Sequence, residues 1–247
     1  MISVSIIGHN EERNIERCLE SVKWVDEIIF VDCESTDKTA EIVNRYTKNV
    51  FSCDNNPNLN VNKQFGIEQC KNSWILYLDP DEVVSGNLKK EILSIVQIED
   101  NEIKGYFIPR KNHYFGKFLK YGGKYPDYQL RLFRNGFAKF PCKHVHERIN
   151  VEGKVRKLES PLLHYPYSDI SDMLKKSNFY TSRKGEYWFS KNKKSKFILL
   201  QSLIKFFKLY IFKFGFLDGF TGFTVATMDS YNEFVSLLKL KEIRDRG

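Results

Sequence analysis

The chain has 247 residues, 42% hydrophobic and 28% charged, an ordinary globular composition with room for one large domain or a domain with an appendage. A net charge of +8 points to an anionic partner, whether phosphorylated substrate, nucleic acid or anionic membrane. Five scattered cysteines without a C-x-x-C pair argue for reduced thiols, and neither a secretory leader nor an uncharged apolar run of the ~20 residues that cross a bilayer is expected.

Ser3 to Gly8, with Val4, Ile6 and Ile7, predicts a first buried strand. Asn10 offers a side-chain oxygen to cap a helix from about Glu11 to Val22. Glu27 to Asp32 predicts a second strand ending on Asp32. Ser35, Thr36 or Asp37 would cap a helix running to about Tyr46, and Asn49 to Phe51 gives a short third strand. Asn62 to Cys70 is helical in pattern. Trp74 to Leu78 is an apolar run without polar alternation, the pattern of a strand buried on both faces, and it leads directly into Asp79-Pro80-Asp81-Glu82. Gly86 to Val96 gives one more helix.

Side chains two apart on an extended chain point the same way, so Asp79 and Asp81 can face one target. Like charges that close call for a shared cation, and a hard divalent ion also held by phosphate oxygens fits. The alternative is a solvated acidic turn opening the next helix. Alternating strands and helices predict an α/β fold, a mainly parallel sheet sandwiched by helices. Asn10-Glu11, Asp32 and Asp79-Asp81 each follow a strand and should gather along one sheet edge as one cleft. Neither G-x-G-x-x-G nor G-x-x-x-x-G-K-[ST] is present to hold a nucleotide.

Gly105 to Arg110 predicts a strand. Lys111 to Tyr125 mixes aromatics, lysines and glycines, reading as an acceptor loop or a plain hairpin surface. Asp127 opens a strand whose alternating Leu130 and Leu132 suggest half-burial. In the stretch Lys143 to Arg148, His144 and His146 share one face of an extended chain and Glu147 takes the other. His164 lies near a further strand; the preferred reading is a structural histidine, and the alternative is a zinc site from His144, His146 and His164, whose spacing matches no standard pattern. Ile170 to Phe189 is helical in pattern. Lys191 to Lys213 then carries lysines at 191, 193, 194, 196, 205, 208 and 213 and no acid, among many Phe, Leu and Ile residues. On a helix, Lys194, Gln201, Lys205 and Lys208 would form one polar stripe, suiting a helix lying in the headgroup layer of an anionic leaflet. Packing on the rest of the protein or in a dimer is the alternative. Gly215 to Phe223 reads as a turn or wedge, and Thr224 to Leu240 as a final helix.

Val4-Ser5-Ile6-Ile7 with Asn10-Glu11, Ile29-Phe30-Val31-Asp32 with Ser35-Thr36-Asp37-Lys38-Thr39, and Leu78-Asp79-Pro80-Asp81-Glu82 stand in one order over about the first hundred residues. Together they resemble a family 2 glycosyltransferase of the GT-A fold, and the rest more loosely resembles bacterial enzymes adding a sugar, often glucose, to the lipopolysaccharide core. The resemblance implies inverting transfer of a hexose from a nucleotide-sugar, with UDP favoured. Asp32 would take the base, Asn10 and Glu11 would line its pocket, and Asn62 and Lys63 would lie near the nucleotide or its phosphates. Asp79 would contact ribose or metal, and Asp81 would ligate Mg²⁺ or Mn²⁺. Asp127 resembles the family's acid near the acceptor and is the first candidate general base. Glu147 is the second, and His146 would reach the diphosphate or metal. Residues 1–168 would form the catalytic domain, 1–100 for the nucleotide-sugar and 101–168 for the acceptor. Residues 169–247 would form a helical extension on the cytoplasmic face of the membrane. The expected partners are a nucleotide-sugar, a lipid-linked glycan and an anionic membrane surface. Nucleic acid is not among them, because the basic residues adjoin apolar helices rather than a stacking groove. The absence of Q-x-x-R-W argues against a polymerising synthase. The rivals are transfer to a polyprenyl phosphate and a non-enzymatic sugar-nucleotide or nucleic-acid binding module.

Overall fold

The computed structural model describes residues 1–98, 102–142, 148–194 and 196–246. In chain order come β1 (Ile2–Gly8), α1 (Ile15–Ser21), β2 (Glu27–Asp32), α2 (Thr39–Val43), β3 (Val50–Ser52), α3 (Leu59–Glu68), β4 (Trp74–Leu78), β5 (Glu82–Val84) and α4 (Gly86–Gln97). Then follow β6 (Ile103–Tyr114), β7 (Lys117–Phe118), β8 (Asp127–Arg134), β9 (Ala138–Lys139), β10 (Asn150–Val151), β11 (Lys154–Lys157) and β12 (Leu162–His164). The C-terminal part holds α5 (Ile170–Ser190), α6 (Ile198–Phe207) and α7 (Gly219–Arg246). Two compact units result: Met1–Arg110 with Tyr128–His164, and Lys111–Asp127 with Tyr165–Gly247.

In the first unit the main sheet runs β3-β2-β1-β4-β8-β6-β12-β5. The strands β3, β2, β1 and β4 are parallel, whereas β8 joins β4 antiparallel and the sheet beyond is mixed. All of β1 and β4 is buried, as expected for strands covered on both faces. One core layer packs Ile15, Leu19, Leu88 and Ile92 from the helices onto Val4, Ile6, Leu76 and Leu78. No disulfide joins the five cysteines, all of which are among the described residues.

Three local expectations need correction. The first helix begins at Ile15, not Glu11, because Asn10 does not cap it. Asn10 sits at φ 55°, and its Oδ1 accepts from the backbone N–H of Thr36 at 2.8 Å and of Asp37 at 3.3 Å. The helix α2 stops at Val43, short of Tyr46; Asp37 accepts from Thr39 N–H at its start. The strand β8 buries Leu130, Arg131, Leu132 and Phe133 alike, so it is covered on both faces rather than one.

In the second unit, β7 folds back on His113 and Tyr114 at the end of β6, so the aromatic, lysine-rich stretch makes a hairpin. The excursion Lys111–Asp127 clusters with the C-terminal helices, whereas the sequence reading gives it to 101–168. Its anchor is Asp218, whose carboxylate accepts from the N–H groups of Lys120 and Tyr121, with a second tie from Lys124 to Asp229 at 2.6 Å. The helix α6 continues into a π-helical turn over Lys208–Phe212, and a 3₁₀ turn, Gly215–Asp218, leads into α7.

Candidate functional site

Parallel register decides which loops meet. Gly8 pairs with Asp32 and Ile6 with Leu78, so β1, β2 and β4 deliver Asn10, Asp32 and Asp79 from the same sheet edge. There the β1 and β2 loops are stitched together. Ser35 Oγ accepts from Asn10 N–H at 3.1 Å, Thr39 Oγ1 from Glu11 N–H at 2.8 Å, and Asp37 from Glu12 N–H at 3.1 Å. Asp32 accepts from Ser35 N–H at 3.3 Å. The sequence reading passed over His9. Its Nδ1 lies 2.7 Å from the Cys33 carbonyl and its Nε2 lies 3.1 Å from Asn10 Nδ2. The proton therefore sits on Nδ1, with Nε2 accepting from the amide. Asn62 is buried; its Nδ2 donates to Cys33 Sγ and to the Asp54 carbonyl, so it holds the ends of β2 and β3.

After β4, Asp79 and Glu82 close a turn on each other: Asp79 N–H donates to Glu82 Oε2, and Glu82 N–H to the Asp79 carbonyl, both at 3.0 Å. Arg131 of β8 bonds both carboxylates, reaching Glu82 at 2.6 Å. Arg110 lies 3.3 Å from Glu82, Lys63 Nζ 3.2 Å from Asp79, and the Tyr77 hydroxyl donates to Asp79 at 2.6 Å. Arg131 and Lys63 also lie over the Tyr77 ring, 4.6 and 5.1 Å from its centroid. Burial would raise the Asp79 pKa, but Arg131, then Lys63 and the Tyr77 hydroxyl, hold it well below the usual carboxylate range. Asp79 is thus ionised and engaged. The residue that completes it, Arg131, falls between Leu130 and Leu132 in the strand expected to be half-buried. The available signal was an arginine inside Leu-Arg-Leu-Phe, a position that burial permits only opposite acids.

Asp81 differs. Its Oδ1 is buried and has no hydrogen-bond partner among the described residues. Its Oδ2 lies 3.5 Å from His164 Nε2, brought there because β12 pairs with β5. A buried carboxylate oxygen without a donor is costly unless a cation meets it, so Asp81 with His164 fits a divalent ion. Among the described residues no group of three His, Cys, Asp or Glu side chains is placed to hold a metal ion. His144, His146 and Glu147 lie outside the described residues. Asp127 is the first residue of β8. Of the lysines expected on one helical stripe, Lys194 precedes α6, Lys205 is 3.1 Å from Glu233, and Lys208 lies exposed in the π turn. The stripe is therefore broken, since the helix starts later than the pattern implied.

Comparison with known proteins agrees with this architecture. The chain is 32% identical to an uncharacterized glycosyltransferase of Rickettsia felis, over 98% of this chain and 89% of that one. It is 28% identical to LpsC of Rhizobium meliloti, named a lipopolysaccharide core biosynthesis glycosyltransferase, over 97% of this chain and 91% of LpsC. Residues 1–349 of S. aureus TarS in complex with UDP share the fold, with TM-score 0.53 and 13% identity over all of this chain and 92% of that one. The profile of glycosyl transferase family 2 matches residues 3–156, and the chain, with its GT-A fold, belongs to that family.

Proposed function

We propose that the protein transfers a hexose, with inversion, from a UDP-sugar to the lipopolysaccharide core or a related lipid-linked glycan at the cytoplasmic face of the membrane. The observation that carries the reading is the orphaned oxygen of Asp81, at the end of a buried strand in a family 2 chain. LpsC, similar along nearly the whole chain, supports the acceptor class. TarS, crystallised with UDP on the same fold, supports the nucleotide.

In this reading Asp32 takes the base, and Asn10 and Glu11 wall its pocket. Asp79 takes the ribose, with Asn62 behind the loop. Lys63 keeps donors to spare beyond Asp79 and offers them to the diphosphate. Mg²⁺ or Mn²⁺ would be held by Asp81 with His164, and by His146 if that residue reaches it; when bound, the ion offsets the charge that builds on the departing diphosphate. The acceptor hydroxyl attacks the anomeric carbon from the face opposite the diphosphate. The new glycosidic C–O bond forms as the bond to UDP breaks, and the hydroxyl proton passes to Asp127, or to Glu147 as second candidate. Asp79 and Glu82 are unsuited to that task because both are tied to Arg131.

The test is a donor panel: the protein with Mn²⁺ and each common sugar nucleotide, followed for slow hydrolysis. One UDP-sugar should be cleaved, and chelation or Asp81→Ala should abolish cleavage. Hydrolysis that survives Asp81→Ala, or no turnover of any donor, would reject the assignment.

A further inference from the structure

Helix α6 turns its bulky apolar side chains outward. Of α6, only Ser202 is buried, and its carbonyl accepts from Ser230 Oγ of α7 at 2.6 Å. Leu199, Leu203, Ile204 and Phe207 of the same helix face outward. Helices α5 and α7 are mixed: Met173, Val225, Leu237 and Leu240 are buried together with small and hydroxylated residues. Ser177, Thr181 and Gly185, four residues apart, are buried; Ser177 bonds Asn232, and a Cβ on Gly185 would lie 3.3 Å from Leu240 N and 3.4 Å from the Ser236 carbonyl. Water favours large apolar groups inside. The face of α6, with a serine inside and bulky apolar side chains outside, suits a hydrocarbon surrounding.

The outward apolar surface continues through the π turn and the 3₁₀ turn into α7. Phe197 and Phe212 are each 76% exposed and Phe220 is 83% exposed. These tips stand on a fixed base. Phe206 stacks on Tyr210 at 5.3 Å, and Tyr210 meets Phe223 edge-on at 5.6 Å. Gly222 lets α7 touch the preceding turn, since a Cβ there would lie 2.1 Å from the Gly215 carbonyl. The rim carries one sign of charge. Lys194, Lys196, Lys208 and Lys213 are exposed, and no acid occurs from Lys191 until Asp218, which is buried and bonded to the hairpin. Such a rim repels a second copy of itself and attracts lipid phosphates. Among the described residues no helix is long and apolar enough to cross a membrane, and an exposed apolar face edged by lysines suits the interface of one leaflet.

We propose that the surface from Phe197 to Phe223 inserts into the headgroup and upper acyl layer of an anionic bilayer, with Lys208 and Lys213 on the lipid phosphates and Lys205 held back by Glu233. The proposal deepens the lipid-linked acceptor reading but does not rest on it. The test is co-sedimentation of the full chain with phosphatidylglycerol vesicles and with phosphatidylcholine vesicles. Wild type should bind the anionic vesicles better and lose binding as salt rises. Phe212→Ser with Phe220→Ser should weaken partitioning by roughly 100-fold or more at any salt. Lys208→Glu with Lys213→Glu should remove the anionic preference, and both double variants should retain UDP-sugar hydrolysis. Failure of wild type to bind anionic vesicles would overturn the proposal, as would unchanged binding in the Phe double variant. A wild-type dimer that this Phe variant dissolves would overturn it too, by assigning the surface to a second copy. Hydrolysis reads the catalytic assignment separately, so either conclusion can fail while the other stands.

Discussion

In the first unit two carboxylates, Asp79 and Glu82, converge on the guanidinium of Arg131; in the second, three ammoniums, of Lys184, Lys193 and Lys205, converge on the carboxylate of Glu233. The first cluster is dry at its centre, with Glu82 wholly buried and Arg131 5% exposed, while Asp79 at its edge keeps 26% of its side chain exposed. In the second, the three lysine side chains stay 31–34% exposed. Burial magnifies both the attraction within a pair and the penalty for losing one partner, whereas water screens both. The dry cluster fixes the turn after β4 and commits two of its three acids, leaving Asp81 for a ligand. The wet cluster clamps α5 and the α6 region to α7 and leaves positive charge over.

Committed carboxylates make poor bases, so the contrast predicts that the proton acceptor lies outside the dry cluster. Asp127→Asn should lower kcat by ~10²–10⁴ while UDP affinity, followed by calorimetry, stays put. If Glu147→Gln produces that fall and Asp127→Asn does not, the role moves to Glu147. A second measurement tests the dryness itself. Arg131→Met keeps bulk but takes the guanidinium from wholly buried Glu82 and from Asp79, and should lower the urea unfolding free energy by ~3–5 kcal/mol. A loss under ~1 kcal/mol would class the cluster with exposed pairs and erase the contrast. The smallest effect is expected in the second unit, where Glu233→Gln should cost ~1 kcal/mol because solvent screens the lysines. Its pH dependence has a definite sign. Burial alone would raise the Glu233 pKa, but the hydrogen bond and charge of Lys184, then Lys205, leave it lowered. Its stabilisation is therefore full above the ordinary glutamate range and lost as pH falls through the lowered value, a loss that the Gln variant should lack.

Much of the first unit could be read from residue order. Buried runs at β1, β2 and β4 gave strand identity, and acids after them gave the functional edge, because parallel register needs no knowledge of side-chain contacts. Arg131 and His164 escaped because each is joined to its acid by strand pairing between distant segments, β8 on β4 and β12 on β5. Asn10 was misread for a related reason: its preferred partner was a loop 26 residues away, not the next turn of helix. The apolar C-terminal stretch was visible as composition. Its inversion was not, since only packing reveals that Ser202 points in and Leu203 out.

The left-handed Asn10 has a thermodynamic consequence. With its Oδ1 already bonded to Thr36 and Asp37, and its Nδ2 to His9, the loops after β1 and β2 are tied together without any ligand. A ligand docking there would meet a preorganised wall and forfeit little loop entropy, so affinity would come from contacts rather than be spent on ordering.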